Sequence, residues 1–302
     1  MIIPILKRGF SNFIRPLISP MNPAETVFIR DPLNLKSKIE SFSSDFGIIS
    51  DFDSTLTKYS VNGFKLSTIN LLISILDKNH SKDVKDLFLH YHPIEIDPSI
   101  SLDKKMLLMH EWWAKEQEVF LKAHIEKHMI TSAIENLPFY FRYGILEVIS
   151  ICERNKIPFT IVSGGVGNII SEMIKAITSY QIKIKSNFIE FDENGKLLGF
   201  STPIVHSQNK FHSIRGKKIQ KSYFVLGDIP SDLLILKEIN DETKVISIGY
   251  FNDEALASLD DFRDFDIVIR GDGNLSVLEY LLCLVLKLPR PSYQFLGSLG
   301  WL

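Results

Sequence analysis

The chain has 302 residues, 45% hydrophobic and 23% charged, with a formal net charge of −2. That balance excludes a disordered chain. With no long run of like charge, it also excludes a surface built for nucleic acid polymers, which requires clustered Lys and Arg. Two cysteines, Cys152 and Cys283, exclude a disulfide framework and a four-ligand zinc site, and they fit a reducing compartment.

Residues 1–22 carry Lys7, Arg8 and Arg15 but no acid. Such a composition suits a mitochondrial transit peptide or a plain basic terminus, so the expected location is cytoplasmic with the mitochondrion as alternative. No apolar run reaches the roughly 20 residues needed to span a bilayer, and no membrane partner is expected. The nearest run, Leu275 to Leu288, contains Glu279 and reads as a buried helix.

Residues 23–44 read as a lead-in helix, with Leu35, Ile39 and Phe42 on one face and a turn at Asp31-Pro32. Next, an apolar run ends in Asp51-Phe52-Asp53-Ser54-Thr55-Leu56-Thr57. Alternate strand residues share a face, so Asp51 and Asp53 would point the same way if the strand continued. Two carboxylates at the end of a buried strand are costly unless a cation or a proton transfer uses them.

From residue 62 to 139 the pattern turns helical, over 69–76, 82–90 and 102–129, with a loop at 91–98 bracketed by Pro93 and Pro98. An insertion of that size after the first strand reads as a helical cap. Strands then alternate with helices: 158–162, a hairpin around Asp192-Glu193-Asn194-Gly195, 223–226, 245–248 and 267–269. The implied fold is α/β, a Rossmann-like parallel sheet. Its expected divisions are a lead-in over 1–44, a core over 45–61 and 140–288, a helical cap over 62–139 and a tail over 289–302.

Open α/β sheets bind ligands beyond the carboxyl ends of their strands. Three polar clusters fall there: Asp51 with Asp53, Ser163 with Gly164 and Gly165, and Asp228 with Asp232. Lys210 precedes the third of these strands. A nucleophile, an acid/base, a cation site and phosphoryl-oxygen donors are what phosphoryl transfer from a monoester requires.

Those residues, in that order, match the four motifs of the haloacid-dehalogenase-like phosphatases. Two cap segments, Pro93-Ile94-Glu95-Ile96-Asp97-Pro98 and Glu111-Trp112-Trp113-Ala114-Lys115, resemble the cytosolic 5′-nucleotidase III family. So do Ser186 to Gly195, Ile248 to Asp253 and Phe265 to Val268. The resemblance implies a Mg²⁺-dependent 5′-nucleotidase, acting as a monomer on nucleoside 5′-monophosphates. Asp51 is the implied nucleophile and Asp53 the proton donor and acceptor. Asp51, Asp228 and the backbone carbonyl of Asp53 are the implied Mg²⁺ ligands. Ser163, Gly164 and Lys210 are implied at the phosphoryl group, with Asp232 supporting. Glu95 is implied at the base.

Trp113 takes the place of a base-stacking aromatic, where pyrimidine-directed members tend to carry tyrosine and 7-methylguanosine-directed members tryptophan. Packing inside the cap is its other reading. The tryptophan leans the expected substrate towards 7-methylguanosine monophosphate, with cytidine or uridine monophosphate next. The chain departs from the pattern at Glu116, where pyrimidine members carry serine, leaving either a second acid near the base or a solvent-facing one. Ile229-Pro230 also replaces small polar residues. Two alternatives stand beside the nucleotidase: a phosphatase for another small phosphomonoester, and a non-catalytic nucleotide-binding protein.

Overall fold

The computed structural model describes residues 26–61, 63–136, 141–214, 220–240, 242–253 and 258–289. The basic segment 1–22, and the tail 289–302 apart from Pro289, lie outside the described residues.

The lead-in is not one helix. Thr26–Ile29 form a strand, β1, at the edge of the main sheet, and only Pro32–Glu40 (α1) is helical. Val27 and Ile29 pack on the main core while Phe28 faces a smaller cluster, a period of two that a helical reading misses. Asp31 caps α1 by accepting from the Asn34 N–H at 2.9 Å, and Pro32 sits in the first turn, where its missing N–H loses no partner.

Strand β2 (Phe46–Ser50) is followed by a small hairpin, β3 (Ser60–Val61) and β4 (Phe64–Lys65). Four helices come next: α2 (Thr68–Ser74), α3 (Lys78–Ile96), α4 (Leu102–Lys122) and α5 (Lys127–Asn136). The chain then runs through α6 (Ile145–Asn155), β5 (Phe159–Val166), α7 (Gly167–Ile177) and β6 (Lys183–Asn187). A hairpin of β7 (Ile189–Phe191) and β8 (Leu197–Phe200) leads to β9 (Ser222–Gly227), β10 (Lys244–Phe251), β11 (Ile267–Arg270) and α8 (Ser276–Val285).

The seven-stranded sheet has the order β1-β11-β10-β9-β2-β5-β6, parallel except for β1. From β2 the chain builds outward through β5 and β6, then crosses back to β9 on the other side. The order therefore reverses beside β2, which is where such sheets open a crevice. All five residues of β2 are buried. Ile48, Ile161 and Phe224 face the main core with Val148 and Leu278, while Ile49, Val162 and Val225 face a second cluster with Ile235 and Ile239. Covering on both faces explains why these strands read as unbroken apolar runs.

Three local expectations change. The segment 91–98 is not a loop, because α3 continues through Pro93 to Ile96. The carbonyl that Pro93 leaves unpaired belongs to Leu89, an exposed residue, so water can satisfy it. Tyr91 meanwhile anchors the helix by stacking on Trp112, with centroids 5.8 Å apart. The long helix 102–129 is broken after Lys122, with His124 left-handed at φ 52°. Gly164 and Gly165 lie inside β5 rather than beyond its carboxyl end.

Candidate active site

Strand β2 ends at Ser50, and the chain turns at once. The Asp51 N–H still bonds the Leu226 carbonyl of β9 at 3.0 Å, which fixes its backbone to the sheet. Ser54 then takes a left-handed conformation, φ 61°, which costs a non-glycine residue about 1–3 kcal/mol and persists only where neighbours over-determine it. The strand does not continue, so Asp51 and Asp53 do not share a face by strand alternation. They take different partners.

Asp51 is buried and lies 2.8 Å from Lys210 Nζ. The contact is an ion pair to Asp51 Oδ1. Lys210 opens a short 3-10 turn, Lys210–Ile214, and also contacts Asp232 Oδ1 at 2.6 Å. Burial alone would lower the lysine's pKa, but the carboxylates of Asp232 and Asp51 outweigh it and push it up.

Asp232 sits in the 3-10 helix Pro230–Glu238 that follows β9. Its other oxygen accepts from the N–H groups of Asp228 at 2.9 Å and Ile229 at 3.1 Å. The Ile-Pro substitution therefore leaves a tight turn, with Pro230 at its first position. Gly227 permits it, since a Cβ there would lie 2.3 Å from Asp232 Cβ. Oxygens of Asp51, Asp228 and Asp232 lie within 4.8 Å of one another. Burial first, then the charges of Asp51 and Asp232, push the Asp228 carboxyl well above the usual range. Three crowded carboxylates suit a small hard cation, which takes carboxylate oxygens and water. Both oxygens of Asp232 are engaged, so Asp51 and Asp228 are the freer ligands.

Asp53 turns towards the start of α2. Thr68 N–H donates to its Oδ1 at 2.9 Å and Thr68 Oγ1 to its Oδ2 at 2.6 Å. Burial raises its pKa to about 7, opposed by the Thr68 hydroxyl and reinforced by Asp51. An acid poised there can both give and take a proton near neutrality. Thr68 was not singled out from sequence. The available signal was Ser67-Thr68 opening a helix, with Ser67 Oγ accepting from the Asn70 N–H at 3.0 Å.

Ser163 is buried, and its Oγ accepts from the Gly165 N–H at 3.0 Å, leaving its proton to donate elsewhere. Gly165 is the glycine that the site demands. A Cβ there would lie 2.1 Å from Thr68 Oγ1 and 2.6 Å from Asp53 Oδ2, whereas one at Gly164 would meet only ordinary contacts from 3.5 Å.

Above these groups, α3 and α4 reach the segment just before Lys210. Ser207 donates from Oγ to Glu95 Oε1, and His206 Nε2 lies 2.8 Å from His110 Nδ1. Glu95 Oε2 lies 3.2 Å from His92 Nδ1. Trp113 is 8% exposed and packs edge-on against Phe200, with centroids 5.8 Å apart. It is thus largely buried between α4 and the β7–β8 hairpin, with only a rim open. Glu116 does not face solvent. It is buried on the same side of α4, accepts from Trp112 Nε1 at 2.7 Å, and is raised to about 7, mainly by burial.

Asp51 with its buried lysine, Asp53 and the carboxylate cluster gather where the parallel sheet reverses its order, an arrangement that can carry out phosphoryl transfer from a monoester. A HAD family hydrolase of Salmonella enterica serovar Typhi shares this fold with a TM-score of 0.50 at 14% identity, over 78% of this chain and 70% of that one. The sequence profile of pyrimidine 5′-nucleotidase (UMPH-1) matches residues 54–286, and the chain belongs to that family. It is 31% identical over 280 residues to the 7-methylguanosine phosphate-specific 5′-nucleotidase A of Xenopus laevis, covering 87% of this chain and 97% of the relative. The crystal structure of cytosolic 5′-nucleotidase IIIB bound to cytidine superposes with a TM-score of 0.77 at 26% identity, over 91% of this chain and 97% of that one.

Proposed function

We propose that the chain hydrolyses nucleoside 5′-monophosphates to nucleoside and phosphate through an aspartyl-phosphate on Asp51. The observation that carries this reading is the convergence of Asp51, Lys210 and Asp228, with Asp53 poised near neutrality two residues beyond the nucleophile. Lys210 sets its positive charge against the Asp51 carboxyl. An Asp51 oxygen attacks phosphorus, the bond to the nucleoside 5′ oxygen breaks, and Asp53 gives that oxygen its proton. Asp53 then takes a proton from water as the water attacks phosphorus, releasing phosphate and restoring Asp51. Ser163 and the Gly164 amide donate to the phosphoryl oxygens. Carboxylates of Asp51 and Asp228, with the Asp53 backbone carbonyl, would hold Mg²⁺, which supplies positive charge to the transferring phosphoryl group.

Residues 62–139 act as the substrate-selecting cap on a core of 45–61 and 140–288. Glu95 meets the base, and the rim of Trp113 stacks on it. An indole beside a carboxylate suits the cationic 7-methylguanine, and buried Glu116 adds a second acid nearby. We therefore assign 7-methylguanosine monophosphate first and cytidine or uridine monophosphate second. Two free, buried thiols support a cytoplasmic setting.

Phosphate release from 7-methylguanosine, cytidine, uridine and guanosine monophosphates with Mg²⁺ tests the reading. Asp51→Asn should abolish it. Full turnover by that variant rules out the covalent route, and preference for a sugar phosphate over every nucleotide rules out the substrate class.

A further inference from the structure

Arg142 lies where the chain returns from the inserted helices to the sheet. It is fully buried, and all five of its guanidinium N–H donors are engaged. Nε donates to the Thr55 carbonyl at 2.8 Å, Nη1 to Asp272 Oδ1 at 3.0 Å and to the Gly273 carbonyl at 2.5 Å. Nη2 donates to the Ser54 carbonyl at 2.5 Å and to Asn252 Oδ1 at 2.7 Å. The guanidinium carbon stands 4.3 Å from the centre of the Tyr250 ring. The backbone joins in, because the Arg142 N–H donates to the Leu56 carbonyl at 2.9 Å and Phe141 bridges Thr57.

Two of those acceptors are the carbonyls that immediately follow Asp53. The Ser54 carbonyl takes a second donor, Asn252 Nδ2, at 3.0 Å. Ser54 is the left-handed residue of the turn. A serine has no preference for that conformation, so its neighbours must hold it: Thr57 Oγ1 takes the Ser54 N–H at 3.0 Å from within the turn, while Arg142 and Asn252 donate to its carbonyl from outside. A buried guanidinium whose planar fork is fully satisfied is a rigid object for that task.

We infer that Arg142, with Asn252, is a positioning residue for phosphoryl transfer. The pair clamps the Ser54 and Thr55 carbonyls, holds Ser54 left-handed, and so aims Asp53 past Asp51. The inference rests on the proposed reading of Asp51 and Asp53. It assigns Arg142 no contact with substrate.

Three variants test it, with Val148→Ala in the core on α6 as a control for stability. Arg142→Met should lower kcat about 100-fold with KM within about threefold, the scale of a misplaced reacting group. Arg142→Lys should recover only part of the loss, because an ammonium lacks the fork. Should Arg142→Met fail to fold, Asn252→Ala removes one of the two donors on the Ser54 carbonyl and should still lower kcat about tenfold. Hydrogen exchange over residues 46–60 supplies a readout independent of turnover. It should quicken in Arg142→Met and Asn252→Ala beyond its rate in Val148→Ala at equal loss of Tm. Exchange and kcat that track Tm alone, alike in all variants, would overturn the positioning role. An inactive wild type would sink the nucleotidase reading instead, while the exchange arm still decides whether Arg142 holds the turn.

Discussion

Lys210 Nζ stands 2.8 Å from Asp51 Oδ1, and both residues are more than nine-tenths buried. Breaking a buried pair by removing one partner leaves an uncompensated charge, on the order of 3–5 kcal/mol of stability. Lys210→Met should lower Tm accordingly and reduce kcat by about 100-fold or more. Added Mg²⁺ should raise Tm more in the variant than in the wild type, because a bound cation takes over the neutralisation of Asp51 and Asp228. Thermal unfolding with and without Mg²⁺ measures this. Equal Mg²⁺ shifts in the two proteins would separate the lysine from the cation site.

Gly165 and Gly164 differ in a way that substitution should reveal. An alanine Cβ at 165 collides with Thr68 Oγ1 and Asp53 Oδ2, so Gly165→Ala must break the Asp53–Thr68 pair. Overpacking of this kind costs about 1–3 kcal/mol and here also misplaces Asp53, the proposed acid/base. Its kcat should fall far below that of Gly164→Ala, which retains the amide and meets only ordinary contacts. Similar kcat values for both variants would remove the Asp53–Thr68 pair from the mechanism.

Glu116 should make stability depend on pH. Its folded pKa is raised from 4.5 to about 7, so the native state holds a proton there that the unfolded chain has released. A raised carboxyl stabilises fully below pH 4.5, and that contribution is lost as pH rises through about 7. The difference amounts to about 3 kcal/mol at most. Glu116→Gln cannot lose it, so its Tm relative to wild type should climb between pH 4.5 and 7 and level off above. A Tm difference that stays constant from pH 4 to pH 8 would place Glu116 in an ordinary solvated setting.

Trp113 packs on Phe200 and keeps only a rim exposed. Trp113→Tyr should lower Tm through lost packing. If the rim stacks on the base, it should also cut the preference for 7-methylguanosine monophosphate over cytidine monophosphate by roughly tenfold, the scale of a desolvated cation–π contact. The ratio of kcat/KM for the two nucleotides is the measurement. A lower Tm with an unchanged ratio would confine Trp113 to packing.

Much was legible in the chain. The apolar run ending at Asp51, the Gly227-Asp228 strand end and the alternation of strands with helices are local patterns. They follow from the periodicities of strand and helix and from the rarity of buried acids. Family likeness added Lys210 and Ser163, which stand out little by themselves. The strand at Thr26–Ile29, the continuation of α3 through Pro93 and the inclusion of Gly164 and Gly165 in β5 were not legible. Each depends on a partner distant in sequence: β11 for the edge strand, Trp112 for Tyr91, and β6 for the end of β5.

Local order in the chain thus determined which residue types stand at the ends of which strands, because backbone sterics and burial act within a few residues. Only the folded chain decided their partners. Asp53 pairs with Thr68, Asp232 and Asp51 with Lys210, and Arg142 with the carbonyls of Ser54 and Thr55. Hydrogen bonds and buried charges are settled by distances of a few ångströms, and segments as far apart in sequence as Ser54 and Arg142, 88 positions, come that close only when the sheet has assembled.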